Sequence, residues 1–294
     1  MPVTASEVKA LRELTGAGMM ECKKALTETD GDLDDAIALL RKKGAASAEK
    51  KSGRIAAEGV IAFAINDAGT AAILVELNCE TDFVAKDDSF KDFANQLAST
   101  LLEHRPDSVE DAAQLKLAGG ATVEVTRQEL IAKIGENISL RRFEVIQAGP
   151  EELAGYVHGS RIGVIIRMGA STGADLGRDI AMHVAASRPL CIDESEMPDE
   201  LLHKERDIYT AQAAESGKPP EIVEKMVTGR IKKFLKENTL VGQPFVKNPD
   251  QSVGELLSGQ KASVVSMSRF EVGEGLEKRS DDFVAEVMAQ AQGG

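Results

Sequence analysis

The string Arg-Phe-Glu-Val occurs twice in this chain, at Arg142–Val145 and Arg269–Val272, and each copy closes a similar run of sequence. Ahead of the first copy, Val60–Ile65 and Ala71–Leu77 are runs of β-branched and apolar residues joined by a turn at Asn66–Thr70, which predicts a hairpin. A helix carrying Phe90, Phe93, Leu97 and Leu101 follows, then one from Thr126 to about Ile134, then a strand over 139–146. Ahead of the second copy, Tyr156–His158 and Ile162–Ile166 predict another hairpin and Leu176–Ala186 another helix. A four-residue match can arise by chance. The shared order of hairpin, helix and closing strand makes two related α+β halves the better account. Gly59 and Gly155 of the two hairpins lie 96 residues apart, whereas Phe143 and Phe270 lie 127 apart, so the second copy carries about 31 extra residues. Pro198–Asn238 accounts for them. Leu201, Leu202, Ile208 and Tyr209 form one helical stripe, and Ile222, Val223, Met226, Val227, Ile231, Phe234 and Leu235 another, with Gly217-Lys218-Pro219-Pro220 as stop and restart. This antiparallel helical hairpin is either an arm for dimerisation or docking, or an extension of the core.

The first 44 residues predict a three-helix bundle. Thr4-Ala5-Ser6-Glu7 fits a capping box, Val8, Leu11 and Leu14 recur at helical spacing, and Gly16 stops the helix. A second helix is expected from about Gly18 to Thr29, and a third capped by Asp32, carrying Ile37, Leu39 and Leu40 and ending at Gly44. Arg41–Arg54 then reads as a tether that need not pack. At the other end, Ser280–Gln290 places Phe283, Val284, Val287 and Met288 at helical spacing. So short a helix must lie against either its own core or a partner.

Length and charge limit the function classes. The chain's 294 residues suffice for two ordinary domains. The net charge of −13 suits a nucleic-acid coat badly, because such binding neutralises phosphates with Lys and Arg. Ten basic and nine acidic side chains through Arg54 leave −14 on the remainder. Apolar runs such as Ala71–Val75 fall far short of the roughly 20 residues that span a bilayer. The N-terminus lacks a secretory pattern, so a cytoplasmic location without membrane attachment is expected. Cys22, Cys79 and Cys191 are too few and too dispersed for a disulfide framework or a Cys-x-x-Cys metal site.

Strings for phosphate cradling, dinucleotide binding, zinc hydrolysis and the nucleophile elbow are absent. No metal or cofactor is expected. Asp30–Asp34 starts like a calcium loop, but Asp35 and Arg41 occupy positions that need Gly and Glu, so it reads as a helix cap. Asn137-Ile138-Ser139 is a glycosylation sequon by spelling only. His104, His158, His183 and His203 read as surface or packed side chains, and Cys79 as a buried structural thiol. Thr81-Asp82-Phe83-Val84 is ambiguous. Thr81 or Asp82 caps a helix and Phe83 plugs the core, or Phe83 is an exposed knob beside a carboxylate that wedges into a partner.

Several strings resemble, in order, those of bacterial translation elongation factor Ts. They are Thr15–Leu26 (TGAGMMECKKAL), Asn78–Lys86 (NCETDFVAK), Lys133–Ile138 (KIGENI), His158–Val164 (HGSRIGV), Ile180–Ser187 (IAMHVAAS), Gly242–Val246 (GQPFV) and Arg269–Gly275 (RFEVGEG). Residues 102–125 and 169–177 match no motif. The resemblance implies an α+β chain. Its parts are a ubiquitin-associated-like bundle and tether (1–53), a core N-subdomain (54–148), a core C-subdomain (149–192 and 240–275), a helical-hairpin coiled-coil insertion (193–239) and a C-terminal helical module (276–294). It implies guanine-nucleotide exchange on elongation factor Tu, without catalysis of bond-making, and association through the hairpin as a homodimer or two-plus-two complex. Thr81, Asp82, Phe83 and Val84 would disturb the partner's magnesium site, with Phe83 inserting between helices of its GTPase domain. Met19, Met20, Ile134, Gly135, His158, Phe283 and Val287 would supply further contacts. Two rivals are a general adaptor whose bundle binds ubiquitin-like folds and a thiol-dependent enzyme using Cys79.

Overall fold

The computed structural model describes residues 3–169, 174–215 and 218–276. The bundle begins with α1 (Ala5–Thr15), where Thr4 and Glu7 form a reciprocal capping box and Gly16, at φ 68°, ends the helix in the left-handed region. α2 (Met19–Glu28) and α3 (Leu33–Lys51) close over Val8, Leu11, Cys22, Leu26 and Ala36. Leu14 departs from the predicted stripe and is 65% exposed. α3 also runs past Gly44 to Lys51, so most of the predicted tether is helix. Its Ala, Lys, Arg and Glu are strong helix formers, and one interior glycine costs only about 1 kcal/mol against them.

Residues 58–147 build the first α+β module. β1 (Glu58–Ile65) and β2 (Ala71–Cys79) form a hairpin whose turn is closed by Asn66, its Oδ1 accepting from the Thr70 and Ala71 amides at 2.8 and 3.0 Å. Every residue of β2 is buried, which explains the unbroken apolar run Ala71–Val75, although the strand also buries Glu76 and Asn78. α4 (Asp82–Lys86) is a single turn, and α5 (Asp88–His104) buries Phe90, Phe93, Leu97 and Leu101 as predicted. The polar stretch that follows holds α6 (Val109–Gln114) and a bridge between Lys116 and Thr122. Thr122 caps α7 (Val123–Ile134), which therefore starts three residues before the predicted Thr126. α3 packs along α7, with Gly44 buried and facing Ala132 and Gln128. β3 (Ile138–Gln147) completes a sheet of order β1-β2-β3.

The second module repeats that order. β4 (Glu152–His158) pairs antiparallel with β5 (Ile162–Met168), from Glu152 opposite Met168 to His158 opposite Ile162. α8 (Ala174–Ser187) packs on this hairpin. Next come α9 (Asp199–Ala214) and α10 (Pro220–Asn238), paired through Ala213, Val227 and Ile231 with Leu202, Tyr209 and Met226. Ile208 and Ile222, placed on those stripes by spacing, are instead 40% and 45% exposed. Gly217 of the predicted helix stop lies outside the described residues. A two-strand ladder of β6 (Pro244–Phe245) and β7 (Asn248–Ser252) leads into α11 (Val253–Gly259) and then β8 (Val264–Glu271), giving a sheet of order β4-β5-β8. The closing strand thus lies beside the second strand of the hairpin in both modules.

The chain is α+β. Described residues within Met1–Val60, Val75–Phe143 and Glu271–Gly294 form one compact unit, and those within Ile61–Leu74 and Glu144–Phe270 the other. That cut passes along β1, β2 and β3, whereas the sequence reading sets a boundary at 148/149. Residues 277–294, with Phe283 and Val287 of the expected C-terminal helix, lie outside the described residues. No helix among the described residues is long and apolar enough to cross a membrane.

Candidate functional site

β2 ends at Cys79, and the chain turns through Glu80 and Thr81 into α4. Thr81 is the N-cap: its hydroxyl accepts from the Val84 amide at 3.4 Å and donates to Glu136 Oε1 at 2.7 Å. Glu136 Oε2 accepts from the Glu80 and Thr81 amides at 3.2 and 3.0 Å. In return the Glu80 carboxylate accepts from the Asn137 amide at 2.6 Å and pairs with Arg54 at 3.3 Å. Asn137 is buried and its Nδ2 donates to the carbonyls of Arg54 and Ser52, at 2.9 and 3.4 Å. Two acidic side chains from separate loops therefore hold each other's backbone, which fixes the turn more firmly than a lone cap would.

Within that turn, Val84 is buried at 8% exposure while Phe83 stands 80% exposed. The core-plug reading of Phe83 is overturned, because Val84 fills the place it would take. Asp82 is exposed and ion-paired to Lys86 at 2.6 Å. The hydrogen bond from Lys86 leads the causes that hold the Asp82 carboxyl below its ordinary range. The Lys86 ammonium also lies 6.0 Å from the centre of the Phe83 ring. The turn thus presents an aromatic face, a carboxylate and an ammonium on a fixed backbone.

Cys79 is fully buried and its Sγ donates to the Thr81 carbonyl at 3.1 Å. Burial first, and the nearby Glu136 charge second, push its thiol up to about 12. A thiol so protonated at neutral pH is no nucleophile, which removes the support for the thiol-enzyme reading.

The other predicted site residues divide. Ile134 is half-buried and Gly135 is the left-handed C-cap of α7, directly before Glu136, so both adjoin the clamp. Met19 and Met20 open α2 at 47% and 65% exposure, on the same compact unit. His158 belongs to the other unit, at the exposed end of β4, with Nδ1 3.0 Å from the Tyr156 hydroxyl. The clamp residues Arg54, Glu80, Glu136 and Asn137 are not among the site residues that the sequence suggests, although Glu80 stands inside the Asn78–Lys86 string. Glu136 and Asn137 stood inside the Lys133–Ile138 string, but only the fold brings them to Thr81. Among the described residues no group of three or more His, Cys, Asp or Glu is placed to hold a metal ion.

The turn therefore holds one exposed aromatic ring on a backbone fixed by two carboxylates. The family model described as Elongation factor TS matches residues 80–274. The chain is 58% identical over 294 residues to Elongation factor Ts of Thioalkalivibrio sulfidiphilus, covering 100% of both chains. It is 57% identical over 292 residues to that of Methylococcus capsulatus, and 51% identical over 290 residues to that of Legionella pneumophila (strain Philadelphia 1), covering 99% of both chains in each case. This chain belongs to the elongation factor Ts family.

Proposed function

We propose that the chain is a guanine-nucleotide exchange factor for elongation factor Tu in translation elongation. It binds the GDP-bound partner, Thr81, Asp82, Phe83 and Val84 disturb the magnesium and phosphate site, and GDP leaves so that GTP can enter. The observation that carries this reading is the 80% exposure of Phe83 on a turn held by Glu136 and Glu80. An apolar ring left in water has its burial free energy still to gain, and a fixed backbone loses little entropy when the ring enters a partner.

Exchange of this kind is a coupling free energy. The factor weakens nucleotide binding by as much as nucleotide weakens binding of the factor. A thousandfold effect corresponds to about 4 kcal/mol. Burying one Phe supplies roughly 1.5 to 3 kcal/mol of it, so the remaining contacts must displace the partner's backbone as well. Met19, Met20, Ile134, Gly135 and His158 extend the contact surface, and Phe283 and Val287 add to it from the C-terminal segment. No bond of the nucleotide is made or broken, so the role is not enzymatic in that sense and needs no general base. The helical hairpin is assigned to association with a second copy or a two-plus-two complex, with Ile208 and Ile222 as its exposed apolar positions. Action on a protein GTPase suits the net charge of −13, requires no direct nucleic-acid contact and places the factor in the cytoplasm.

The test is stopped-flow release of a fluorescent GDP from elongation factor Tu. The proposal expects this protein to accelerate release in proportion to its concentration below saturation. A release rate that does not respond to it contradicts the proposal.

A further inference from the structure

The bundle and α7 enclose a groove of about 530 Å³ that the Phe83 turn does not use. Its apolar walls are Leu14, Ile37 and Leu40 from the bundle and Val125 and Ala132 from α7. Lys24, Arg41, Lys43 and Lys133 also line it, with Glu21 and Glu129; Arg41 is paired with Glu129 at 3.5 Å and Lys43 with Glu28 at 2.9 Å, so Lys24 and Lys133 are the cations that face an incoming ligand. Leu14 is 65% exposed at this groove, although its position in α1 would otherwise suit the bundle core. A groove of this volume, with apolar walls and a few charged groups at its edge, has the make-up of a binding site.

The place where the described chain ends points to the occupant. Leu276 lines a cleft with Ser52, Gly53, Arg54 and Ile55, at the C-terminal end of α3. The same helix walls the groove through Ile37, Leu40, Gly44 and Ser47. From Ser47 to Ser52 the axial rise is about 7.5 Å. The residues from Leu276 to Phe283 can span about 23 Å when extended, so the following segment reaches the groove with slack. Ser280–Gln290 carries Phe283, Val284, Val287 and Met288 at helical spacing. Its charged residues are Asp281, Asp282 and Glu286, with no Lys or Arg, which complements Lys24 and Lys133.

We infer that, in the protein without its partner, Ser280–Gln290 lies in this groove with its apolar stripe against Leu14, Leu40 and Val125 and its carboxylates toward Lys24 and Lys133. The stripe that the proposed function assigns to the partner is thereby covered until the partner competes for it. Only that consequence rests on the exchange reading; the placement itself concerns the free chain.

The experiment is methyl NMR of the full-length protein, with a nitroxide attached at Met288→Cys; the native cysteines are buried and react slowly. Broadening of the Ile37, Leu40 and Val125 methyls is expected within the labelled molecule. It should be absent when labelled chains are mixed with separate isotope-labelled ones, and lost when Phe283→Asp is added. Unbroadened groove methyls would overturn the inference. So would broadening only between chains, which makes a second copy the occupant, or groove shifts that arise only on adding elongation factor Tu. Because the measurement uses the free chain, its failure leaves the exchange assay unaffected, and the reverse also holds.

Discussion

Phe83 is exposed because its two neighbours satisfy the turn without it. Thr81 caps α4 and Val84 enters the core, and a single helical turn between them leaves the intervening Asp82 and Phe83 side chains outside. Composition alone favoured a buried Phe, since large aromatic residues are mostly inside. Spacing could name Thr81 as a cap but could not decide which of Phe83 and Val84 faces inward. Nor could it find Glu136, whose bonds to Glu80 and Thr81 cross 56 and 55 residues of sequence. Glu136→Ala frees the turn while leaving Phe83 in place. Catalysed GDP release should then slow by roughly threefold to tenfold, a loss of about 0.7 to 1.4 kcal/mol of pre-organisation. Stopped-flow rates at saturating factor check this; an unchanged rate would mean that the clamp is irrelevant to the wedge.

At the scale of elements, helices and hairpins were legible wherever periodicity and caps agreed. Thr4 with Glu7, Asp32 and Gly16 all mark helix ends as their spelling suggests. α3 is the exception. Gly44 reads as a stop, yet the strong helix formers around it carry the helix across, and α7 packs beside it, a neighbour 80 or more residues downstream that no local signal announces. The glycines that align the two hairpins have a firmer cause. A Cβ on Gly155 would lie 2.3 Å from the Phe63 ring, and one on Gly59, at φ 147°, would lie 2.1 Å from the Leu77 carbonyl oxygen. Gly155→Ala should destabilise the fold by about 1 to 3 kcal/mol, and Phe63→Leu should restore part of it. Urea unfolding of the single and double variants measures both; additive losses would show that the two residues do not compete for space.

At the scale of the whole molecule, the repeat was the most legible feature, because strings closing equivalent strands need no knowledge of packing. The polar residues that secure the insertion were not legible. His183, read only as a surface or packed histidine, is fully buried; the Val246 amide donates to its Nδ1 at 3.2 Å. Nε2 therefore carries the proton and donates to Gln243 Oε1 at 2.9 Å. The Gln243 amide in turn donates to the carbonyls of Glu237 and Ser187, tying the ends of α10 and α8. Burial, opposed by the Gln243 bond, holds the His183 pKa below its ordinary 6.5. The unfolded chain thus takes up this proton first as pH falls. His183's contribution to stability is complete above the unfolded value of 6.5 and is lost as pH drops from there through the folded one. Urea midpoints should decline between about pH 7.5 and pH 5.5, and His183→Gln should flatten that decline while lowering stability at the higher pH. Equal slopes in both proteins would contradict the assignment. The proposed exchange centres on the exposed ring of Phe83. Its most direct test is stopped-flow release of fluorescent GDP from elongation factor Tu by the protein and by Phe83→Ala, with thermal unfolding of both. The expected result is release slowed roughly tenfold to a hundredfold by the variant at a nearly unchanged melting temperature, and the contradicting one is an undiminished rate.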